Sequence, residues 1–270
     1  MARLQKVTHD LVQDFWEDQV CGTHFADDDK FSDGYFGQIE EKRYQLEPFI
    51  HSFAQFTRYR NKKVLEVGVG AGTDFVQWAR AGARVHGVDL TEESIIHVQQ
   101  RLKLEGLDVV DLYQGDAEHL KYEDNSFDLV YSWGVIHHSP DCFQALKEIV
   151  RVVKPGGQIR VMVYHRYSVA AFMTWFRNCL LRGHPFHSIA YAVANFVESP
   201  GTKAYTQAEM EQMASQLTLE KIDIQTILSW CDLALTSEHR FVRVLYRLLS
   251  WMGGGNRVGW FMLVKAQKSS

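Results

Sequence analysis

The sequence lacks most of the features that assign a protein at a glance. Its four cysteines, Cys21, Cys142, Cys179 and Cys231, form no CxxC pair. That spacing suits neither a zinc site nor a disulfide framework, and buried free thiols are the expectation. No uncharged run approaches the roughly 20 residues that span a bilayer, and MARLQKV at the N-terminus has no apolar signal core. Basic charge is not in surplus: the formal net charge is −4, so no global field favours nucleic acid. Internal repeats and low-complexity tracts are absent as well. These absences point to a reduced, cytoplasmic protein with no nucleic-acid partner, no stable membrane insertion and no resident metal. What remains is ordinary globular composition, 270 residues at 46% hydrophobic and 23% charged. That suits one large domain, alone or with an appended subdomain.

Residues 1–61 hold no strand pattern. A short helix is expected over residues 8–19, with Leu11, Phe15 and Trp16 on one face. The polar loop 22–34 follows; its Asp27, Asp28 and Asp29 lack the ligand spacing of a calcium loop and read as solvated. Aromatic and apolar residues then recur at helical spacing to Tyr59, interrupted by Pro48, which starts a new helix or kinks one. Two helices that cover a site on a following sheet are the expectation. From residue 62 strands and helices alternate, as in a parallel sheet covered on both faces. Strands are expected at 64–67, 84–88, 109–114, 127–132 and 158–164. Helices are expected at 73–81, at 91–104 with Thr91 as cap, and at 141–153, stopped by Pro155-Gly156-Gly157. The pattern then loosens into an aromatic helical stretch, 166–197. A capped helix at 206–217, a strand at 219–228 and a basic amphipathic segment, His239–Trp251, follow, and Trp260–Lys265 reads as a final strand.

The chain is organised around VLEVGVGAGTD, residues 64–74. A buried strand, a glycine turn and a helix start place backbone N–H groups against a cofactor. Alone, such a turn has several owners. A dinucleotide fingerprint wants GxGxxG, and Thr73 stands where its third glycine would be. Asp89 ends the second strand, where a carboxylate accepts hydrogen bonds from a ribose diol. Asp116 ends the third and could accept one from an adenine amine.

Five stretches in order, VLEVGVGAGT (64–73), VDL (88–90), GDA (115–117), FDLVYSWGVIHH (127–138) and VKPGG (153–157), resemble the class I S-adenosylmethionine-dependent methyltransferases. The small-molecule branch called methyltransferase type 11 is the nearest in pattern, over residues 62–165. The resemblance implies a Rossmann-like α/β fold: a seven-stranded, mostly parallel sheet with helices on both faces and the last strand antiparallel. Residues 1–61 would form a helical lid and 166–205 a helical substrate cap within a methyltransferase domain spanning 62–270.

By the same resemblance, Glu66, Gly68, Val69, Gly70, Gly72 and Thr73 hold the methionine part of S-adenosylmethionine. Asp89 and Leu90 hold the ribose, and Asp116, Ala117 and Glu118 the adenine. Ser132, Trp133 and Gly134 face the cofactor after the fourth strand, and His137 lines the active site beyond them. From the lid, Tyr35 closes over the cofactor and Arg43 pairs with its carboxylate. Candidate bases are His137 and His138, then Tyr164 and His165 at the carboxyl end of the fifth strand. The expected reaction is methylation of a small aromatic or apolar molecule, at oxygen or nitrogen in preference to carbon or sulfur. An RNA or protein methyltransferase and a silent cofactor-binding subunit stay open, as does a homodimer. The basic segment at 239–251 reads as a lid or dimer contact in preference to a membrane contact.

Overall fold

The computed structural model describes residues 7–229, 232 and 255–270. Its strands are β1 (Lys63–Val67), β2 (Arg84–Asp89), β3 (Asp111–Gln114), β4 (Phe127–Trp133), β5 (Val153–His165), β6 (Ala204–Tyr205), β7 (Leu219–Ile227) and β8 (Phe261–Lys268). Seven run in the order β3-β2-β1-β4-β5-β8-β7. Only β8 is antiparallel to its neighbours, as expected for the last strand. The two-residue β6, parallel to β5, is an eighth strand too short to show any periodicity.

Alternation along each strand assigns its side chains to faces. Val64, Tyr131, Trp133, Met162 and Tyr164 share one face with apolar residues of α3 (Ile50–Ala54), α4 (Thr73–Arg80) and α5 (Glu92–Glu105). Leu65, Val67, Val130, Val161 and Val163 lie on the other, under α6 (Cys142–Val152) and α9 (Gln207–Ser215). Both faces are therefore dry, which is why β1, β4 and β5 read as apolar runs. Glu66 is a carboxylate placed deliberately on the first face.

Several ends differ from the sequence pattern. Helix α6 stops at Val152 and β5 begins at once, so Pro155-Gly156-Gly157 lies inside an irregular strand start and does not end the helix. Thr91 sits at the N-terminus of α5, yet its hydroxyl is bonded to Asp89 and Ser94. The cap comes from α1 (His9–Asp18), where the Glu17 carboxylate accepts the N–H groups of Glu92 and Glu93 at 3.1 and 2.9 Å. Helix α1 turns Val12 and Trp16 inward with His9, not Leu11 and Phe15. Helix α2 (Asp33–Leu46) follows, and Glu47, Pro48 and Phe49 separate it from α3. Between β5 and β6, α7 (Val169–Asn178) and α8 (Ile189–Phe196) form a helical hairpin. Helix α9 opens with the expected capping box of Thr206 and Glu209. The segment His239–Trp251 lies outside the described residues, as does Cys231.

Candidate functional site

A cavity of about 570 Å³ opens at the carboxyl ends of β1, β2, β4 and β5. Helices α1 and α2 line its other side, through His9, Val12, Trp16, Arg43 and Glu47 among others. The glycine turn forms its floor. Gly68 has φ +81°, and a Cβ there would fall 2.0 Å from Val135 Cγ2, so only glycine lets the loop after β4 come this close. At Gly70 a Cβ would meet nothing within 4 Å, which leaves that side of the turn open to the cavity. The Gly70 N–H donates to Asp89 Oδ2 at 2.9 Å, tying the turn to the end of β2. Thr91 N–H and hydroxyl bond Asp89 Oδ1. The Ser94 side chain is a further hydrogen-bond partner of this carboxylate.

The charge of the lining is its most informative property. Glu47, Glu66, Asp74, Asp89, Asp116 and Glu198 face the cavity, against Lys42 and Arg43. Glu66 accepts the Trp78 indole N–H at 2.9 Å, and burial, with Asp74 beside it, holds its carboxyl well above the usual range. Burial also raises Glu47, whose carboxylate accepts Trp133 Nε1–H at 2.7 Å. Asp74, at the start of α4, accepts from Arg43 Nη2 at 2.8 Å, Tyr131 at 2.8 Å and Tyr44 at 3.0 Å. Such a lining favours a cation. A pyrophosphate would meet carboxylates where it needs donors.

Of the expected cofactor residues, Glu66, Gly68, Val69, Gly70, Thr73, Asp89, Leu90, Asp116, Ala117, Trp133, Gly134 and Arg43 line this cavity. Arg43 arrives already paired with Asp74, its side chain 22% exposed against 1% for the aspartate. Gly72 lies behind the turn, its absent Cβ 3.0 Å from Val98 Cγ2. Four residues differ from expectation. Tyr35 bonds His97 Nε2 at 3.1 Å and packs with Val20, Phe36, Ile39 and Ala71, off the cavity. Glu118 turns to Asp141 N–H and His9. Ser132 falls between Tyr131 and Trp133 on β4, so alternation sends its side chain to the opposite face. His137 is 0% exposed and does not line the cavity; its ring lies against Tyr164, 4.0 Å between centroids.

Beyond β4 the structure reverses the order of the two histidines. His138 reaches the cavity, its Nδ1 2.8 Å from Ser199 Oγ and 3.1 Å from Thr202 Oγ1, its Nε2 3.3 Å from Glu198. Tyr164 donates to both Glu198 oxygens at 2.9 Å. Burial and that carboxylate push its hydroxyl well above the usual range, so Tyr164 is a donor and not a base. His137 is driven well below its ordinary value, by burial first and then by His138 and Lys203, and stays neutral. His165, one residue past Tyr164, points to the other face and bonds the Gly259 carbonyl at 3.2 Å.

Glu198 is missing from the sequence reading. It holds φ +51°, a left-handed conformation that costs a non-glycine residue about 1 kcal/mol. The available signal is its isolation: no acid stands between Glu148 and Glu198, and a Pro-Gly turn follows at 200–201. The aromatic cap helices α7 and α8 contribute no lining residue; Trp16, Trp133, Tyr164, Trp260 and Phe261 supply the aromatic wall instead. Two groups, His137–His138–Glu198 and His9–Asp116–Glu118, bring metal-ligand atoms within 4.8 Å of one another. Tyr164 and Ser199 engage the first, and Asp141 N–H the second.

Residues 65–161 match the family described as "Methyltransferase domain". Phthiotriol/phenolphthiotriol dimycocerosates methyltransferase 1 of Mycobacterium ulcerans is 39% identical over 111 residues, 40% of each chain. Demethylmenaquinone methyltransferase of Bacillus cereus is 26% identical over 208 residues, 70% of this chain and 87% of that one. The chain matches 36 to 40% of the length of the first three curated relatives. Among solved structures, Haemonchus contortus phospholethanolamine N-methyltransferase 2, in complex with phosphomonomethylethanolamine and S-adenosylhomocysteine, superposes with a TM-score of 0.61. It is 17% identical, over 96% of this chain and 60% of that one, a likeness of fold.

Proposed function

We propose, from the premise that this chain carries a class I S-adenosylmethionine-dependent methyltransferase domain, that it methylates a small molecule. The observation that carries the donor is the acidic, open glycine cradle, six carboxylates against two basic side chains. It suits a ligand bearing a sulfonium and an ammonium. When bound, S-adenosylmethionine supplies an activated methyl group for in-line displacement.

In this reading Asp89 takes a ribose hydroxyl. Asp116 takes the adenine amine, with Ala117 against the ring. Glu66 and Glu47 neutralise the positive end, and Arg43, held by Asp74, offers its remaining N–H groups to the carboxylate. Residues 1–61 act as the lid through α1 and α2. The acceptor lies against Trp133, Tyr164 and Trp260, which supports an aromatic or apolar molecule methylated at oxygen or nitrogen. A proton leaving that atom passes to Glu198, which His138 and Tyr164 hold in place.

Two relatives are named for phthiotriol dimycocerosates and demethylmenaquinone, and the structural neighbour for phosphoethanolamine, so the acceptor is chosen outside the matched domain. A turnover screen with S-adenosylmethionine against phenols, amines, carboxylic acids and thiols tests the reading. S-adenosylhomocysteine formed with a phenol or an amine is the expected result. No turnover with any class would overturn it.

A further inference from the structure

The hairpin of α7 and α8 carries apolar surface that the cavity does not use. Nine large apolar side chains are exposed among the described residues, and six of them, Tyr167, Phe172, Leu180, Leu181, Phe186 and Phe196, lie within residues 167–196. None lines the cavity. Phe186 is 98% exposed and Leu181 67%, on the loop between the two helices. The loop is not slack: Trp175 Nε1–H donates to the His187 carbonyl, and Ser188 caps α8 through the Tyr191 N–H. With the His184 N–H donating to the Cys179 carbonyl at 2.8 Å, the loop is bonded on both sides of Phe186.

Charge separates the candidate occupants. No acid stands between Glu148 and Glu198 in a chain whose net charge is −4, and Arg182 is exposed among these apolar residues. A second copy of this chain would bring arginine against arginine across a two-fold axis. An anionic lipid surface instead attracts Arg182, roughly five-fold in affinity, while aromatic and leucine side chains enter the headgroup layer. No described helix is long and apolar enough to cross a membrane, so the contact is peripheral.

We infer that the α7–α8 hairpin docks the protein onto anionic bilayer surfaces through Phe186, Leu181 and Arg182. The inference does not depend on the methyltransferase reading, because it concerns a surface that no cofactor residue reaches.

Sedimentation of the full chain with vesicles tests it. Vesicles of equal parts phosphatidylcholine and phosphatidylglycerol should bind the protein, and pure phosphatidylcholine far less. Phe186→Ser should weaken the binding about tenfold, and Arg182→Gln about five-fold at low salt and less at high salt. Circular dichroism should match wild type for both variants, since neither side chain is buried. Absence of binding to the anionic vesicles, or binding that Phe186→Ser leaves unchanged, would overturn the inference. So would a dimer in sedimentation equilibrium that Phe186→Ser dissociates, since a second copy would then cover the patch.

Discussion

The half of this cavity proposed for the donor and the half proposed for the acceptor are built on different principles. The donor half is strand ends and a glycine turn, with each acid fixed by neighbouring backbone or by buried partners: Asp89 by Gly70 and Thr91, Asp74 by Arg43, Tyr44 and Tyr131. The acceptor half is side chains meeting from distant segments, with Trp16 of α1, Tyr164 of β5 and Glu198 of a loop brought together over long sequence separations. Local rules specify the first. Tertiary packing alone specifies the second, and this division places the family match on residues 65–161 and leaves the acceptor to the rest.

Substitutions can break that contrast at graded strength. Asp74→Ala should have the largest effect, because it strands the Arg43 cation and two tyrosine hydroxyls beneath the cavity. A loss of about 3–5 kcal/mol in urea unfolding is expected, the range for breaking a buried pair; a loss below ~1 kcal/mol would mean that the network is ornamental. Glu198→Gln should lower kcat about a hundredfold and leave the cofactor Kd alone, since its carboxylate stands on the acceptor side. Asp89→Ala should do the converse, weakening S-adenosylmethionine binding about tenfold to a hundredfold in calorimetry. If both variants moved both parameters equally, the two halves would not be separable.

The Glu66 carboxyl sharpens the comparison through pH. Its value is raised in the folded protein by burial and by Asp74, so folding retains a proton that an unfolded glutamate releases. Stability should therefore fall as pH rises from the ordinary carboxylate range towards the raised value, and Glu66→Gln, which stays neutral, should flatten that decline. A bound cation draws the same carboxyl into its ionised form, so cofactor affinity should rise with pH in this window for wild type and not for the variant. Tyr35→Phe should have the smallest effect, about 1 kcal/mol or less of stability from its bond to His97, with an unchanged cofactor Kd. A large loss of affinity there would return Tyr35 to the cofactor wall.

The same division explains what the sequence made legible. Periodicity and glycine placement locate β1 to β5, the turn and most of the residues that line the glycine-turn side of the cavity, because each is set by neighbours a few positions away. Ser132 enters the site by resemblance and His165 by its place at the carboxyl end of the fifth strand, and strand alternation turns each away. His137 ranks above His138 by resemblance, and the turn after β4 reverses them, burying the first ring and bringing the second to the cavity. Glu198 announces itself only as a lone acid after a long basic and apolar stretch. The aromatic richness of 166–197 pointed to the acceptor, but α7 and α8 spend it on each other and on solvent.

The central claim is that the glycine turn cradles a sulfonium-bearing amino acid and not a pyrophosphate. Isothermal titration of the purified chain with S-adenosylmethionine and, separately, with NAD tests it directly. Saturable binding of S-adenosylmethionine, lost in Asp89→Ala, with no heat from NAD, is the predicted result. Binding of NAD without binding of S-adenosylmethionine would contradict it.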